Sequence, residues 1–403
     1  MRFIEALELA LKSAVATTRK EVVDIEDTLG RVISKDIECI KDLPPYNNSA
    51  MDGYAFKHSE IKSELNVVET ILAGDIIEPK LKDNDCYKIM TGAKVPSDCD
   101  TIAPREICEI NNNYIKVLKD INKGNALRLK GEEQKSGTIL LKKGEILTAA
   151  KIALLASQGI TKVECYKELN IAIVSTGSEL KEPYEEASED ELYNINGINI
   201  KMHLKSFGIN SKYLGTLPDT LEKSIDFFSN LSKYDIIISS GGVSGGDADF
   251  TKKALLANGF NELFHGLAVK PGHPILMGKM KNSFVIALPG NPLAAILHTL
   301  IMAIPIIMKI KGANTLFYNT IEAKSTQLKL KPNRVNIVLG NYENGKFSAY
   351  KNNKYGSGMI TPLVKSNAIA LFGENISEIK ENQVIKIVLL DSNINSKSFN
   401  YIN

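Results

Sequence analysis

Hydrophobic spacing along the chain changes texture several times. Over residues 1–18, Phe3, Ile4, Leu7, Leu9, Ala10 and Leu11 cluster at helical spacing, which predicts an amphipathic helix. Residues 22–25 and 31–33 are short strand candidates around a Gly30 turn, and Pro44-Pro45-Tyr46-Asn47-Asn48 is a rigid break. From 66 to 145, short apolar runs such as 114–118 alternate with Gly, Asn, Asp and Lys turns, as in a mostly β region. Thr148 caps a predicted helix over 149–157 that stops at Gly159.

From Asn170 the pattern becomes αβ. Residues 171–174 form a continuous apolar strand, and 198–207 a helix ending at Gly208. A short strand at 212–214, a helix at 221–231 and a buried strand at 235–238 follow. A helix at 249–257 ends at Gly259, 284–288 is a further strand, and Pro292 opens a long helix. Strands alternating with helices predict an α/β domain, a parallel sheet with helices on both faces. The last segment is strand-rich at 335–339, 368–372 and 384–390, a small β domain with a frayed tail from Asp391. The expected division is 1–45 plus 136–168 as a linking domain, 46–135 as a mostly β insertion, 169–312 as the α/β domain and 313–403 as the C-terminal β domain.

Composition narrows the class. A chain of 403 residues, 44% of them hydrophobic, can bury several cores. A net charge of +2 gives no bulk drive toward nucleic acid or an anionic membrane. Five scattered cysteines without a CxxC pair fit a reducing cytosol, and the histidines lack zinc-ligand spacing. The apolar stretch 297–308 is broken by Pro305 and too short for a bilayer, so a cytoplasmic protein is expected.

Candidate chemistry gathers where the predicted strands end. Ligands of open parallel sheets bind beyond the carboxyl ends of the strands. The first strand runs into Ser175-Thr176-Gly177-Ser178-Glu179, the second into Ser239-Ser240-Gly241-Gly242-Val243-Ser244-Gly245-Gly246-Asp247, and the third into Pro289-Gly290-Asn291-Pro292. The glycines let backbone N–H groups approach a phosphate, beside a helix N-terminus near Asp249. The same glycines also suit a plain strand–helix turn. Asp247 and Asp249 are candidate Mg²⁺ ligands or helix caps, and Glu179 a further metal candidate or a solvated charge. Lys270 and His273 lie on a loop stiffened by Pro271 and Pro274 and are candidate oxyanion contacts. Asn48 to Ala55 and Met90 to Ala93 are small-residue strings without amphipathic logic. The glycine loop is not GxGxxG, which argues against a dinucleotide-binding dehydrogenase.

Taken together, PPYNNSAMDGYAF, MTGAKVPSDCDTIAPRE, GTILLKKGEIL, LLASQGITKVE, IVSTGSEL, ISSGGVSGGDADF, VKPGHP and LPGNP occur in order across residues 44 to 292, with Gly356-Ser357-Gly358 as a weaker match in the last segment. In these strings the chain resembles the molybdopterin molybdenumtransferase family, MoeA and the gephyrin E domain. The resemblance implies an elongated four-domain subunit with a MogA-like three-layer centre. It also implies a homodimer, whose site lies between the central domain of one subunit and the insertion of the other. The implied reaction joins molybdate to adenylated molybdopterin with release of AMP and a Mg²⁺ requirement, with other cofactor-biosynthesis enzymes as further partners. Carried over by match, Asp52, Thr91, Glu179, Asp219, Asp249 and Lys270 are catalytic positions. Ser239, Gly241, Gly242, Ser244, Gly246, His273, Pro289, Asn291, Pro292 and Ser357 are substrate positions, and Glu179, Asp247 and Asp249 the metal candidates. The chain departs from the family pattern at Glu133, Ser178, Gly245, His273 and Ala294. His273 and Ala294 leave open a diverged relative that binds the pterin nucleotide or another oxyanion, such as tungstate.

Overall fold

The run Ile171-Ala172-Ile173-Val174 is apolar throughout because its strand is covered on both faces. In the computed structural model, which describes residues 1–217, 220–243 and 250–390, this strand is Ile171–Ser175 (β1). Asn196–Ser206 (α1), Lys212–Thr216 (β2), Leu221–Ser229 (α2), Ile236–Ser240 (β3) and Phe250–Ala257 (α3) follow. Then come Phe260–His265 (β4), Leu276–Met280 (β5), Ser283–Leu288 (β6) and Pro292–His298 (α4). The six strands form one sheet in the order β2-β1-β3-β6-β5-β4.

The first four strands are mutually parallel, as the alternation with helices predicts. The hairpin of β4 and β5 adds two antiparallel pairings, with β5 alone running against the other strands, so the sheet is mixed. Apolar spacing passes over this hairpin because β4 carries Asn261 and Glu262 at a sheet edge and β5 has no β-branched residue. Side chains alternate between two cores. Ile236, Ile238, Phe284, Ile286 and Leu288 pack with Ile200 and Leu204 of α1 and with α4. Ile237, Val285 and Ala287 pack on the other face with Phe228 of α2 and Ala254 and Leu255 of α3.

Pro305 does not break the apolar run after Pro292. A π-turn, Thr299–Ala303, joins α4 to the helix Ile304–Ile310. The proline falls in the first turn after the widened one, where its missing N–H costs least and its ring is accommodated. The resulting 19-residue run is long and apolar enough to cross a membrane, but nearly all of it is buried inside the protein. The N-terminal helix is Phe3–Ser13, shorter than its pattern suggests, and buries Phe3, Ala6 and Ala10. The chain then extends into Lys20–Asp24, which pairs antiparallel with Lys162–Tyr166. Residues 31–33 contribute only isolated bridges to Ile146 and Cys165.

Contacts divide the chain into two units, one of residues 1–34, 144–152 and 162 onward, the other of 35–143 and 153–161. In the first unit the C-terminal strands Ile321–Ser325, Val335–Glu343, Lys346–Ala349, Ala368–Phe372 and Val384–Leu389 form a second sheet. Val269–Lys270 joins this sheet by pairing parallel to Val335 and Asn336. The other unit holds a six-stranded sheet in which Glu64–Ile71 and Asp85–Ile89 are the parallel pair. Its two faces bury Tyr87 and Phe56 respectively.

Ile238 is fully buried between β3's neighbours and α1. Ile238→Ala is expected to cost about 2–5 kcal/mol of folding stability. A urea melt of the variant with an unshifted midpoint would contradict this packing.

Candidate nucleotide-binding pocket

The order β2-β1-β3 reverses direction at β1, because β2 lies on one side of it and β3 on the other. Connections from such a pair leave toward opposite faces and open a crevice at the strands' carboxyl ends. Here the crevice is a cavity of about 1030 Å³. Its walls include Thr176 to Glu179 after β1, Ser240 to Val243 at the end of β3, Pro289 to Pro292 after β6, and Ser357 and Gly358 from the C-terminal segment. This volume is at the upper end of small-ligand pockets and suits a ligand of dinucleotide size.

The strand ends meet backbone to backbone. Thr176 N–H donates to the Ser240 carbonyl at 2.9 Å, and Gly241 N–H to the Leu288 carbonyl at 3.0 Å. Gly241 and Gly242 have φ of +92° and +65°, a region that favours glycine. A methyl on Gly241 would lie 2.4 Å from Thr176 Oγ1, and one on Gly242 2.1 Å from Thr251 Oγ1. The Gly241 amide is thus committed within the fold. Among the described residues, the Gly242 and Val243 amides have no acceptor.

A polar network that the sequence reading missed holds the wall opposite the glycines. Asn196, first residue of α1, donates from Nδ2 to Ser240 Oγ and to the Gly290 carbonyl, each at 2.7 Å. Its Oδ1 is buried without a partner among the described residues. Asn194 Oδ1 accepts from Ser175 Oγ at 3.1 Å, while its Nδ2 donates to Glu182 at 3.0 Å. Tyr213 OH donates to the same Glu182 oxygen at 2.5 Å. Burial first, and the bond to Glu182 second, push the Tyr213 hydroxyl up to about 12. The available signal was Asn194-Ile195-Asn196-Gly197 at a helix start, because polar residues flanking a glycine there commonly serve as caps or contacts. Gly197 is required for a close approach, since a methyl on it would sit 2.4 Å from the Tyr213 ring.

The structure gathers Glu179, Gly241, Gly242, Pro289, Asn291, Pro292 and Ser357 around the cavity. Asn291 Nδ2 donates to Ser357 Oγ at 2.9 Å, and Leu293 N–H to the Ser357 carbonyl at 3.1 Å, so the C-terminal segment is tied to the loop after β6. Three expected residues of this unit are not on its walls. Ser239 is fully buried inside β3, paired with Val174 and Ala287, because the strand continues one residue beyond it. Lys270 belongs to a strand of the C-terminal sheet. Burial lowers its ammonium's pKa, and the nearby charges of Lys331 and Arg334 lower it further. Arg334 is thus a basic neighbour the sequence reading did not single out. His273 Nδ1 lies 2.6 Å from the Leu267 carbonyl, so the ring closes the base of its own loop. Ala294 is fully buried and also lies outside the walls. Asp219, Ser244, Gly246, Asp247 and Asp249 lie outside the described residues.

Asp52 and Thr91, from separate strings, meet in the other unit. Asp52 Oδ1 accepts from Thr91 N–H at 2.8 Å and from Thr91 Oγ1 at 2.7 Å. These bonds, the backbone one first, hold the Asp52 carboxyl below the ordinary aspartate range. Among the described residues, no group of three or more His, Cys, Asp or Glu is gathered for a metal.

Fold and cavity together define an α/β ligand-binding protein with its site at a topological switch point and a carboxylate at the rim. Residues 1–159 match the MoeA N-terminal region (domain I and II), 172–309 a probable molybdopterin binding domain, and 324–390 the MoeA C-terminal region (domain IV). A molybdopterin molybdenumtransferase of Haemophilus influenzae is 30% identical over 383 residues, which span 92% of this chain and 94% of that protein. One from Staphylococcus epidermidis is 28% identical over 403 residues, 96% of each chain. The molybdopterin biosynthesis moeA protein of Pyrococcus horikoshii superposes with a TM-score of 0.84 at 26% identity, covering 96% of this chain and 99% of that one. The chain belongs to the molybdopterin molybdenumtransferase family.

Two outcomes follow. Thr91→Ala should move the Asp52 titration midpoint upward by NMR, but only part of the way, since the Thr91 amide remains. The sign follows from the depressed pKa: Asp52 stabilises its loop above the ordinary carboxylate pKa, and this is lost as pH falls through the folded-state value. Gly241→Ala should cost about 1–3 kcal/mol through a forced positive φ and the clash with Thr176, and a wild-type thermal midpoint would refute the tight approach.

Proposed function

We propose that the chain transfers molybdenum from molybdate into adenylated molybdopterin, with release of AMP. The observation that carries this reading is the cavity at the switch point, where Glu179, the glycine turn, the Pro289–Pro292 loop and Ser357 face one volume. In this reading the amides of Gly242 and Val243 receive a phosphate of the nucleotide. Ser357 and the more remote Lys270 supply donor and positive charge for the molybdate dianion, with Arg334 as a further basic neighbour. Asn291 orients the Ser357 hydroxyl. In this reading water or a molybdate oxygen attacks a phosphorus of the pyrophosphate link and AMP leaves, so positioning and charge stabilisation suffice without a protein nucleophile.

Mg²⁺ is the proposed metal. Glu179 fits it as a hard oxygen donor on the cavity wall with no cationic partner among the described residues. Asp247 and Asp249 would complete the set. When bound, the ion neutralises phosphate charge and steadies the leaving group. We further propose a cytoplasmic homodimer in which Asp52 and Thr91 of one subunit serve the pocket of the other. The near full-length match to molybdenumtransferases gives no support to a diverged non-enzymatic reading. Nor does His273, whose ring is engaged with its own loop.

Purified protein with adenylated molybdopterin, Mg²⁺ and molybdate should release AMP and yield cofactor that reconstitutes a molybdoenzyme lacking it. Glu179→Gln should slow AMP release by roughly 10- to 100-fold or more, the loss of one charge-assisted contact at about 1.5–3 kcal/mol. AMP release at the protein-free rate would sink the proposal. Sedimentation showing only monomer would remove the shared site.

A further inference from the structure

The last residue of α4 is a histidine in an otherwise aliphatic and small-residue run. His298 has no exposed surface. Its Nε2 lies 2.8 Å from the Gly272 carbonyl oxygen, and its Nδ1 is buried without a partner among the described residues. A carbonyl only accepts, so Nε2 carries the proton. Burial pushes the ring's pKa down to about 4, which keeps it neutral near pH 7 with a bare lone pair on Nδ1. Leucine would fill similar space without an orphaned nitrogen. What histidine adds is the donor to Gly272.

The fit around this donor is close. A methyl on Gly272 would lie 2.4 Å from His298 Nε2 and 3.2 Å from the Cβ of Ala294, one helical turn earlier. Gly272 has φ of +98°. Gly272 and Pro274 line the cavity, and Lys270 precedes them by a few residues. The base of the loop is closed by Leu267 N–H donating to the His273 carbonyl at 2.9 Å and by the His273 ring on Leu267. Its start is held by pairing of Val269 and Lys270 with Val335 and Asn336. Its apex is held from below by His298.

We propose that His298 is a positioning residue for the oxyanion-binding step, latching the apex of the 270–274 loop through Gly272 so that Lys270 and the Gly272–Pro274 wall are preset for the ligand. This deepens the molybdenum-transfer reading and rests on it for the identity of the oxyanion. The latch itself is testable without activity.

The comparison uses full-length wild type, His298→Leu, which removes the donor, and His298→Gln, whose amide nitrogen can reach the Nε2 position. Hydrogen exchange should show the amides of Gly266 and Leu267 opening about 10-fold faster or more in the leucine variant, the equivalent of one ordinary hydrogen bond. The amides of β3 and β6 should be unchanged, and glutamine should restore most of the protection. In AMP release, the leucine variant should raise KM for molybdate by about 10-fold or more with a smaller effect on kcat, and glutamine should reverse it. Unchanged exchange in the leucine variant, or leucine and glutamine variants that behave alike, overturns the inference. If wild type releases no AMP, the reaction proposed above fails, while the exchange comparison still decides whether His298 holds the loop.

Discussion

The site depends on three strand ends meeting without side chains between them. β1, β3 and β6 are parallel neighbours, so their carboxyl ends emerge together. They can close to backbone hydrogen-bond distance only because positions 241 and 242 lack a Cβ. That closeness uses one amide of the turn inside the fold, while the next two meet no acceptor among the described residues. It also lets a single asparagine at the start of α1 touch both β3 and the loop after β6. Strand order creates the crevice, and the glycines set how tightly its floor is drawn.

Much of this was legible in the sequence for simple reasons. Doubly covered strands read as unbroken Ile, Val and Ala runs, so β1, β3 and β6 were placed almost to the residue. The helix Ala149–Ser157 and the strand Ala368–Phe372 also formed where cap, stop and spacing put them. β4 escaped because it is an edge strand with polar positions toward water, and β5, though buried, because a glycine and a lysine interrupt its short Leu and Met run. Pro305 misled because its penalty assumes a regular α-turn, and a π-turn precedes it.

Site residues divided along a similar line. Motif strings brought Glu179, Asn291 and Ser357 to one cavity and joined Asp52 to Thr91, because each lies at a turn whose local sequence fixes its direction. Ser239 was misplaced by a single position, and in a strand one position is a change of face. Asn194, Asn196 and Glu182 were invisible because their value lies in long-range bonds: Glu182 collects Asn194, Tyr213 and Thr216 from different elements. No local pattern announces such a hub. His298 looked like one more member of a core helix for the same reason.

The pairing of Val269 and Lys270 with Val335 and Asn336 has a mechanical side. Those two residues are a strand of the C-terminal sheet, whereas Leu276–Met280 belongs to the central one. The short span 271–275 is therefore a tether with each end riveted to a different sheet. A span of five residues between two paired strands has little slack. The lysine at its edge and the glycine at its apex therefore stand where the two sheets are joined through a single short span of chain.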